Sequence, residues 1–218
     1  MQDPKLQKLE QMRREYTRGG LRRNDLAVDP LLQFQRWFDD AVAAELGDPT
    51  AMVLATVAES GQPSQRIVLL KRLDDDGFVF YTSRASRKGT ELEHNRLASV
   101  LFPWHPLDRQ VKVTGRVEVL GQDDAHAYFA SRPRDSQLAA LASQQSQVIE
   151  SRAQLLDDYE AVKVRYTDQP VPLPQQWGGY RLVPSEIEFW QGGAHRLHDS
   201  FRYHKQDTGE WLLDRLAP

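Results

Sequence analysis

The sequence predicts an α+β fold, a small antiparallel barrel with helical additions, and three observations carry that prediction. Short β-rich runs recur between Ala51 and Val119 with hairpin-type connections between them. Helix-type segments then fill residues 122–168. Strand-type runs resume at Gly178, so the chain enters its sheet twice around a helical insertion.

Taken in order, Lys5 to Thr17 carries Leu6, Leu9, Met12 and Tyr16 at helical spacing, and Gly19-Gly20 would end that short arm. The next helix is better signed. Asp29 can cap it, Pro30 suits its first turn, Leu31, Phe34, Phe38 and Val42 form a stripe, and Gly47 can terminate it. The period then changes to that of strands over Ala51–Val57, Gln65–Arg72 and Phe78–Thr82, with turns at 59–63 and 74–77. A helix over Lys88–His94 precedes strands Leu97–Trp104 and Gln110–Val119. Helices are expected over Asp123–Ser131, Asp135–Ser143 and Arg152–Tyr166, followed by a proline-stiffened linker at 170–174. Strands Gly178–Leu182, Ile187–Trp190, Phe201–His204 and Trp211–Leu213 close the pattern.

Composition narrows the chemistry. The 218 residues suffice for one domain with a sizeable core. With 28 basic and 31 acidic residues the net charge is −3, so no global positive field points to nucleic acid or an anionic membrane. Any phosphate site must be local. The absence of cysteine removes disulfides, thiolate nucleophiles and Cys-ligated zinc or iron–sulfur clusters, so redox work would need a bound organic cofactor. The N-terminus lacks the apolar core of a signal peptide, and no run approaches about 18 apolar residues, so a cytoplasmic protein is expected.

Four clusters stand out chemically. Glu188 to Ser200, EFWQGGAHRLHDS, reads as a strand, a glycine turn and an extended stretch with Arg196 and His198 on one face. A solvated hairpin fits the same spacing. Arg66 and Lys71 bracket an apolar run at odd separation, which in a regular strand points them to opposite faces and so toward different anions. Tyr81 to Lys88, YTSRASRK, sets hydroxyls and cations where a strand runs into a helix, which reads either as a ready phosphate cradle or as a solvated basic turn. Tyr128 and Arg132 lie four apart on a helix, and Pro133 should break it so that Ser136 starts the next. Arg18, Arg22 and Arg23 form a further basic cluster, which is either solvated or a second anion site.

The blocks RREYTRGGLRR, DPTAMVLATV, QRIVLLK, FYTSRASRKG, NRLASVLFPW, RQVKVTGRVE, SRPRDSQLAALASQQS, IEFWQGGAHRLHD and DRLAP resemble, in order and over nearly the whole chain, the pyridoxine/pyridoxamine 5′-phosphate oxidases. The resemblance implies an antiparallel FMN-binding split β-barrel with peripheral helices, working as a homodimer. It implies a mobile arm over residues 1–24 and a single flavin-binding domain over 25–218 with the helical insertion inside it. Arg66, Thr82, Arg87 and Lys88 are then expected at the FMN phosphate, and Ile67, Val68, Leu69, Leu70, Lys71 and Tyr81 along the flavin. Gln110, Gln145, Ser146 and Trp190 would complete the ring and ribityl contacts. Lys71, Tyr128, Arg132 and Ser136 would hold the substrate's 5′-phosphate, with Arg13 and Tyr16 covering it and Arg196 and His198 at the reacting carbon. No metal is implied. One departure stands out: the family pattern R-x-H-D-R ends here in Ser200, where the resemblance would put an arginine against the flavin.

The expected function is therefore FMN-dependent oxidation of pyridoxine or pyridoxamine 5′-phosphate to pyridoxal 5′-phosphate, with oxygen as acceptor and hydrogen peroxide released. The alternative is a non-catalytic split barrel that binds flavin or a B6 phosphate, which the loss of arginine at Ser200 favours. A flavin reductase using NAD(P)H would leave Lys71, Tyr128, Arg132 and Ser136 without a purpose.

Overall fold

A computed structural model describes residues 14–17 and 19–218. The described residues form two compact units: the first comprises 14–17, 19–49, 102–112 and 186–218, and the second 50–101 and 113–185. The fold is the α+β antiparallel split barrel that the sequence predicts.

The second unit holds most of a curled sheet. β1 (Ala51–Val57), β2 (Pro63–Leu69), β3 (Arg72–Asp74), β4 (Gly77–Ser83), β5 (Leu97–Phe102), β6 (Arg109–Val119) and β7 (Trp177–Gln191) lie in the order β2-β1-β5-β6-β7-β4-β3. β1 alternates as its period demands: Met52, Leu54 and Thr56 are buried and the residues between them are half-covered. Antiparallel pairing sets Leu54 opposite Arg66 and Thr56 opposite Ser64, so a buried hydroxyl meets a polar stretch of β2. β4 pairs with β7 from Phe78 opposite Leu182 to Ser83 opposite Trp177. β6 approaches β7 so closely that a Cβ on Gly115 would lie 2.0 Å from the Val183 carbonyl oxygen, which only glycine allows.

Four helices complete this unit: α2 (Arg87–His94), α3 (Gln122–Ser131), α4 (Arg134–Ala142) and α5 (Arg152–Arg165). Ser86 caps α2 by accepting from the Gly89 N–H, which fixes the strand-to-helix turn after β4. Pro133 separates α3 from α4, as expected.

In the first unit α1 (Pro30–Ala43) starts where Asp29 accepts from the Leu31 N–H. Its buried face differs from the expected stripe. Phe34, Trp37 and Ala41 face the core while Val42 is exposed, and the helix ends at Ala44 before Glu45 in a left-handed conformation, with Gly47 beyond. Phe34 packs on Phe102 and Trp104, and Trp37 on Phe189. Each such aromatic contributes about 1.5 to 3 kcal/mol by leaving water. The end of β7 pairs with β8 (Asp199–Lys205), which pairs with β9 (Trp211–Leu216). Tyr203 anchors the segment before α1 by donating to the Ala27 carbonyl.

Three other expectations change. The single strand over Gln65–Arg72 divides into β2 and β3, because Leu70 N–H donates to Thr50 on one side and Lys71 N–H to Val79 on the other. The two strands expected over Gly178–Trp190 are one, continuous through Pro184. The helix expected over Lys5–Thr17 falls mainly outside the described residues, and Arg14 to Thr17 are not helical. Among the described residues no helix is long and apolar enough to cross a membrane.

Candidate active site

The second unit carries a cleft of about 940 Å³, near the upper end of the roughly 300 to 1,000 Å³ usual for small-molecule sites. β2 supplies one wall through Arg66, Ile67, Val68 and Leu69, with Lys71 just beyond. The end of β4 and the start of α2 supply Tyr81, Thr82, Arg87 and Lys88. Tyr128, Arg132 and Ser136 enter from α3 and α4, and Gln145 and Ser146 from the segment after α4. Leu70 is buried and does not line the cleft. Because the chain changes sheet partner between Leu70 and Lys71, the parity argument fails: Arg66 and Lys71 line the same cavity.

Polar chemistry concentrates at the β4–α2 turn. Lys88 is buried, and its ammonium donates to Thr82 Oγ1 at 3.0 Å, Ser86 Oγ at 3.1 Å and Gln145 Oε1 at 3.0 Å. Burial brings its pKa down to about 8, helped by the charge of Arg66 and opposed by Glu91. Arg66 donates to Thr56 Oγ1, Ser64 Oγ and Glu91. Arg87 reaches Glu91 through Nε at 2.8 Å. Hydroxyls, two guanidinium groups and an ammonium at a helix start fit a phosphate monoester.

A second cationic and aromatic cluster lies along α3. Tyr81, Tyr128 and Trp177 form a parallel stack, Tyr81 and Tyr128 with centroids 4.0 Å apart. The Arg132 guanidinium stands 5.2 Å from the Trp177 ring centre, and its buried Nη1 has no hydrogen-bond partner. A buried guanidinium N–H left unpaired costs stability unless a ligand satisfies it, so an anion is the fitting occupant. Burial lowers the pKa of Arg132, against the pull of Tyr128, and raises that of Tyr128.

The first unit holds a separate cluster. Trp190 and His198 rings lie 4.7 Å apart, Tyr16 meets both edge-on, and Arg196 stands 5.8 Å from the Tyr16 ring centre. The expected extended stretch here is a correction: residues 194–196 form a 3-10 turn in which His195 and Arg196 have positive φ, and β8 begins only at Asp199. Gly192 and Gly193 make this turn, since a Cβ on Gly192 would strike Tyr16 and one on Gly193 the Leu197 carbonyl at 2.2 Å. His198 Nδ1 accepts from the Gly193 N–H at 3.1 Å, so the neutral ring bears its proton on Nε2. Arg14 pairs with Asp108 and so tethers the segment bearing Tyr16.

Gln110 is half-buried on β6 in the first unit. Arg13 and Arg18 lie outside the described residues. Arg22 and Arg23 open a 3-10 turn, with Arg23 donating to the Leu213 carbonyl. Ser200 is 3 % exposed opposite Trp190, and it donates to Glu188, which also pairs with Lys112. Arg202 is engaged by Asp214 and Glu186. Glu91, Ser64, Thr56 and Trp177 were not foreseen. An i,i+4 partner of Arg87 was the available signal for Glu91, and the alternate position before Arg66 for Ser64.

Fold and cleft together define a split-barrel protein with two clusters of cationic and hydroxyl side chains in one cavity. The chain belongs to the pyridoxamine 5′-phosphate oxidase family, a family of oxidases: residues 38–166 match the model described as pyridoxamine 5′-phosphate oxidase, and 177–218 that described as the pyridoxine 5′-phosphate oxidase C-terminal dimerisation region. The pyridoxine/pyridoxamine 5′-phosphate oxidase of Vibrio vulnificus strain YJ016 is 55% identical over 210 residues, 96% of this chain and 99% of the relative. That of Shewanella amazonensis is also 55% identical with the same coverage. Among solved structures, PhzG from Burkholderia lata 383, in complex with tetrahydrophenazine-1-carboxylic acid, has a TM-score of 0.85 at 30% identity, covering 89% of this chain and 95% of its own. An FMN-binding, pyridoxamine 5′-phosphate oxidase-related protein of Nostoc punctiforme has a TM-score of 0.70 at 14% identity, covering 88% and 100%, and shares the fold.

Proposed function

We propose that this chain oxidises pyridoxine and pyridoxamine 5′-phosphate to pyridoxal 5′-phosphate with FMN as cofactor, as a homodimer. The observation that carries the reading is one cleft lined by two distinct anion-holding groups, Arg66, Thr82, Arg87 and Lys88 on one side and Lys71, Tyr128, Arg132 and Ser136 on the other. A redox cofactor with one phosphate and a substrate with another fit that arrangement better than a single ligand does. The names of the Vibrio and Shewanella relatives point to the same substrates.

FMN held by these residues would supply the redox chemistry, a two-electron oxidation of the substrate with oxygen as final acceptor and hydrogen peroxide as by-product. The chain's own residues orient and enclose. Arg87, Lys88 and Thr82 hold the flavin phosphate with charge-assisted hydrogen bonds, while Ile67, Val68 and Leu69 lie along the ring and Gln145 and Ser146 meet its polar edge. Arg132 offers its unpaired Nη1 and Ser136 its hydroxyl to the substrate phosphate, and Lys71 adds charge. Fixing both phosphates limits the relative motion of the reacting atoms, which is where most of the protein's catalytic effect would arise.

Arg196, His198 and Tyr16 are assigned to the substrate, and Gln110 and Trp190 to the flavin. Trp190, Arg196 and His198 lie in the part of the chain matching the dimerisation region, which supports sites composed from two subunits. With its proton on Nε2, His198 donates a hydrogen bond to the C4′ substituent; it is not the base.

The test is direct. Purified protein is expected to be yellow and to release peroxide when pyridoxamine 5′-phosphate is added. Flavin binding without peroxide would establish the non-catalytic alternative, and bleaching by NADH alone would establish a reductase.

A further inference from the structure

Glu91 is a buried carboxylate without a part in the chemistry above. It lies on α2 one turn after Arg87, its side chain is 5 % exposed, and it gathers donors from three elements. Oε2 accepts from Thr56 Oγ1 of β1 at 2.5 Å, from Ser64 Oγ of β2 at 2.6 Å and from Arg66 Nη2 at 3.1 Å. Oε1 accepts from Arg87 Nε at 2.8 Å. Burial alone would raise the carboxyl's pKa; the bonds from Ser64, Thr56, Arg87 and Arg66 outweigh it and bring the pKa down to about 2. Glu91 therefore stays charged throughout the working pH range.

The geometry divides the two arginines. Held by Nε, Arg87 keeps both Nη groups out of the pairing, and its exposed side chain lines the cleft. Arg66 is held instead by its two Nη groups, Nη1 on Thr56 Oγ1 and the Leu54 carbonyl, Nη2 on Ser64 Oγ and Glu91. One carboxylate thus fixes the roll and reach of two flexible cations. Three cations, Arg66, Arg87 and Lys88, against one carboxylate leave two positive charges, matching a phosphate monoester whose second pKa is about 6.

We propose that Glu91 is a positioning residue for phosphate recognition, locking Arg66 and Arg87 in the poses from which they bind the flavin's phosphate. The inference rests on the reading of Arg66, Arg87 and Lys88 as that phosphate site. It differs in sign from simple electrostatics. If Glu91 only diluted the positive charge, neutralising it would tighten binding of a dianion; if it positions the arginines, neutralising it weakens binding of the phosphate and of nothing else.

The experiment titrates full-length, flavin-free protein with FMN and with riboflavin, which lacks the phosphate, by flavin fluorescence quenching. Glu91→Gln and the shortened Glu91→Asp are each expected to weaken FMN about tenfold or more while riboflavin stays within about twofold. Unchanged or tighter FMN binding in Glu91→Gln would overturn the proposal, as would an equal loss for both flavins, which marks a purely structural role. Arg87→Ala run in parallel separates the two readings: if it weakens FMN no more than riboflavin, the phosphate site itself is misassigned. Should the Glu91 variants fail to fold, Ser64→Ala decides by the same ratio, with an FMN-specific loss of about threefold supporting the role and none refuting it.

Discussion

The cleft of the second unit and the aromatic cluster of the first solve different physical problems. Around Lys88 every charge is embedded in regular structure. β1, β2, β4 and α2 present side chains whose hydrogen bonds are made within the protein, so the cations wait in place at little further ordering cost. Around His198 the backbone itself is unusual: two glycines make the turn, His195 and Arg196 sit in left-handed conformations, and the Arg196 side chain is exposed. Conformations of that kind cost roughly 1 kcal/mol or more per non-glycine residue and persist at functional turns. Affinity is thus expected to reside in the first region and reactivity in the second.

That division can be broken by crossing two substitutions. Arg196→Ala is expected to lower turnover of pyridoxine 5′-phosphate by about 100-fold or more with FMN content unchanged, the scale on which misplacing a reactant acts. Arg87→Ala should do the reverse, weakening FMN by about 10- to 100-fold while leaving activity per bound flavin intact. Flavin content and rate per flavin, measured on the same preparations, would contradict the comparison if the two variants exchanged phenotypes.

A pH series sharpens it. The Lys88 pKa is lowered from 10.5 to about 8, so the ammonium proposed to meet the phosphate is lost above pH 8. FMN affinity is expected to hold to about pH 8 and then fall, by at most about tenfold per unit, with riboflavin affinity flat. The stability of the flavin-free protein moves the other way. Because the unfolded chain binds this proton more tightly, the Lys88 contribution to stability rises between pH 8 and 10.5. Parallel slopes for binding and stability would mean that a different group titrates.

The smallest effect concerns Ser200. Arginine there would sit opposite Trp190 beside Glu188, which can take its charge, while Arg202 is already held by Asp214 and Glu186. Ser200→Arg is expected to tighten FMN several-fold, damped by the crowding of a nearly buried position, with little change in rate at saturating FMN. Equal dissociation constants would remove this position from the flavin site.

Local physics made much of this legible. Asp74 to Gly77 announced a hairpin, Asp29-Pro30 a helix start and Pro133 the break between α3 and α4, because turn and cap chemistry is written in adjacent residues. What was not legible depends on distant pieces converging. Glu91 gains its role only when β1 and β2 deliver Thr56, Ser64 and Arg66 to it, and Trp177 only when Tyr81 and Tyr128 stack alongside. The turn at 194–196 misled for the opposite reason: histidine tolerates positive φ better than most residues, but Arg196 beside it does not advertise that conformation. The two strands expected at Gly178–Leu182 and Ile187–Trp190 are one, because β7 runs through Pro184, where the bare Cα of Gly115 gives its neighbour room.

The order of the two units along the chain has a consequence for biosynthesis. The second unit is complete once Ser185 has been made, whereas the first, which contains the N-terminus, still awaits residues 186–218 and with them β8 and β9. On a ribosome adding about 5 to 20 residues per second, the unit that starts first therefore finishes last. For those seconds Trp37 on α1 lacks Phe189 and the Ala27 carbonyl lacks Tyr203, so α1 waits with part of its apolar face uncovered.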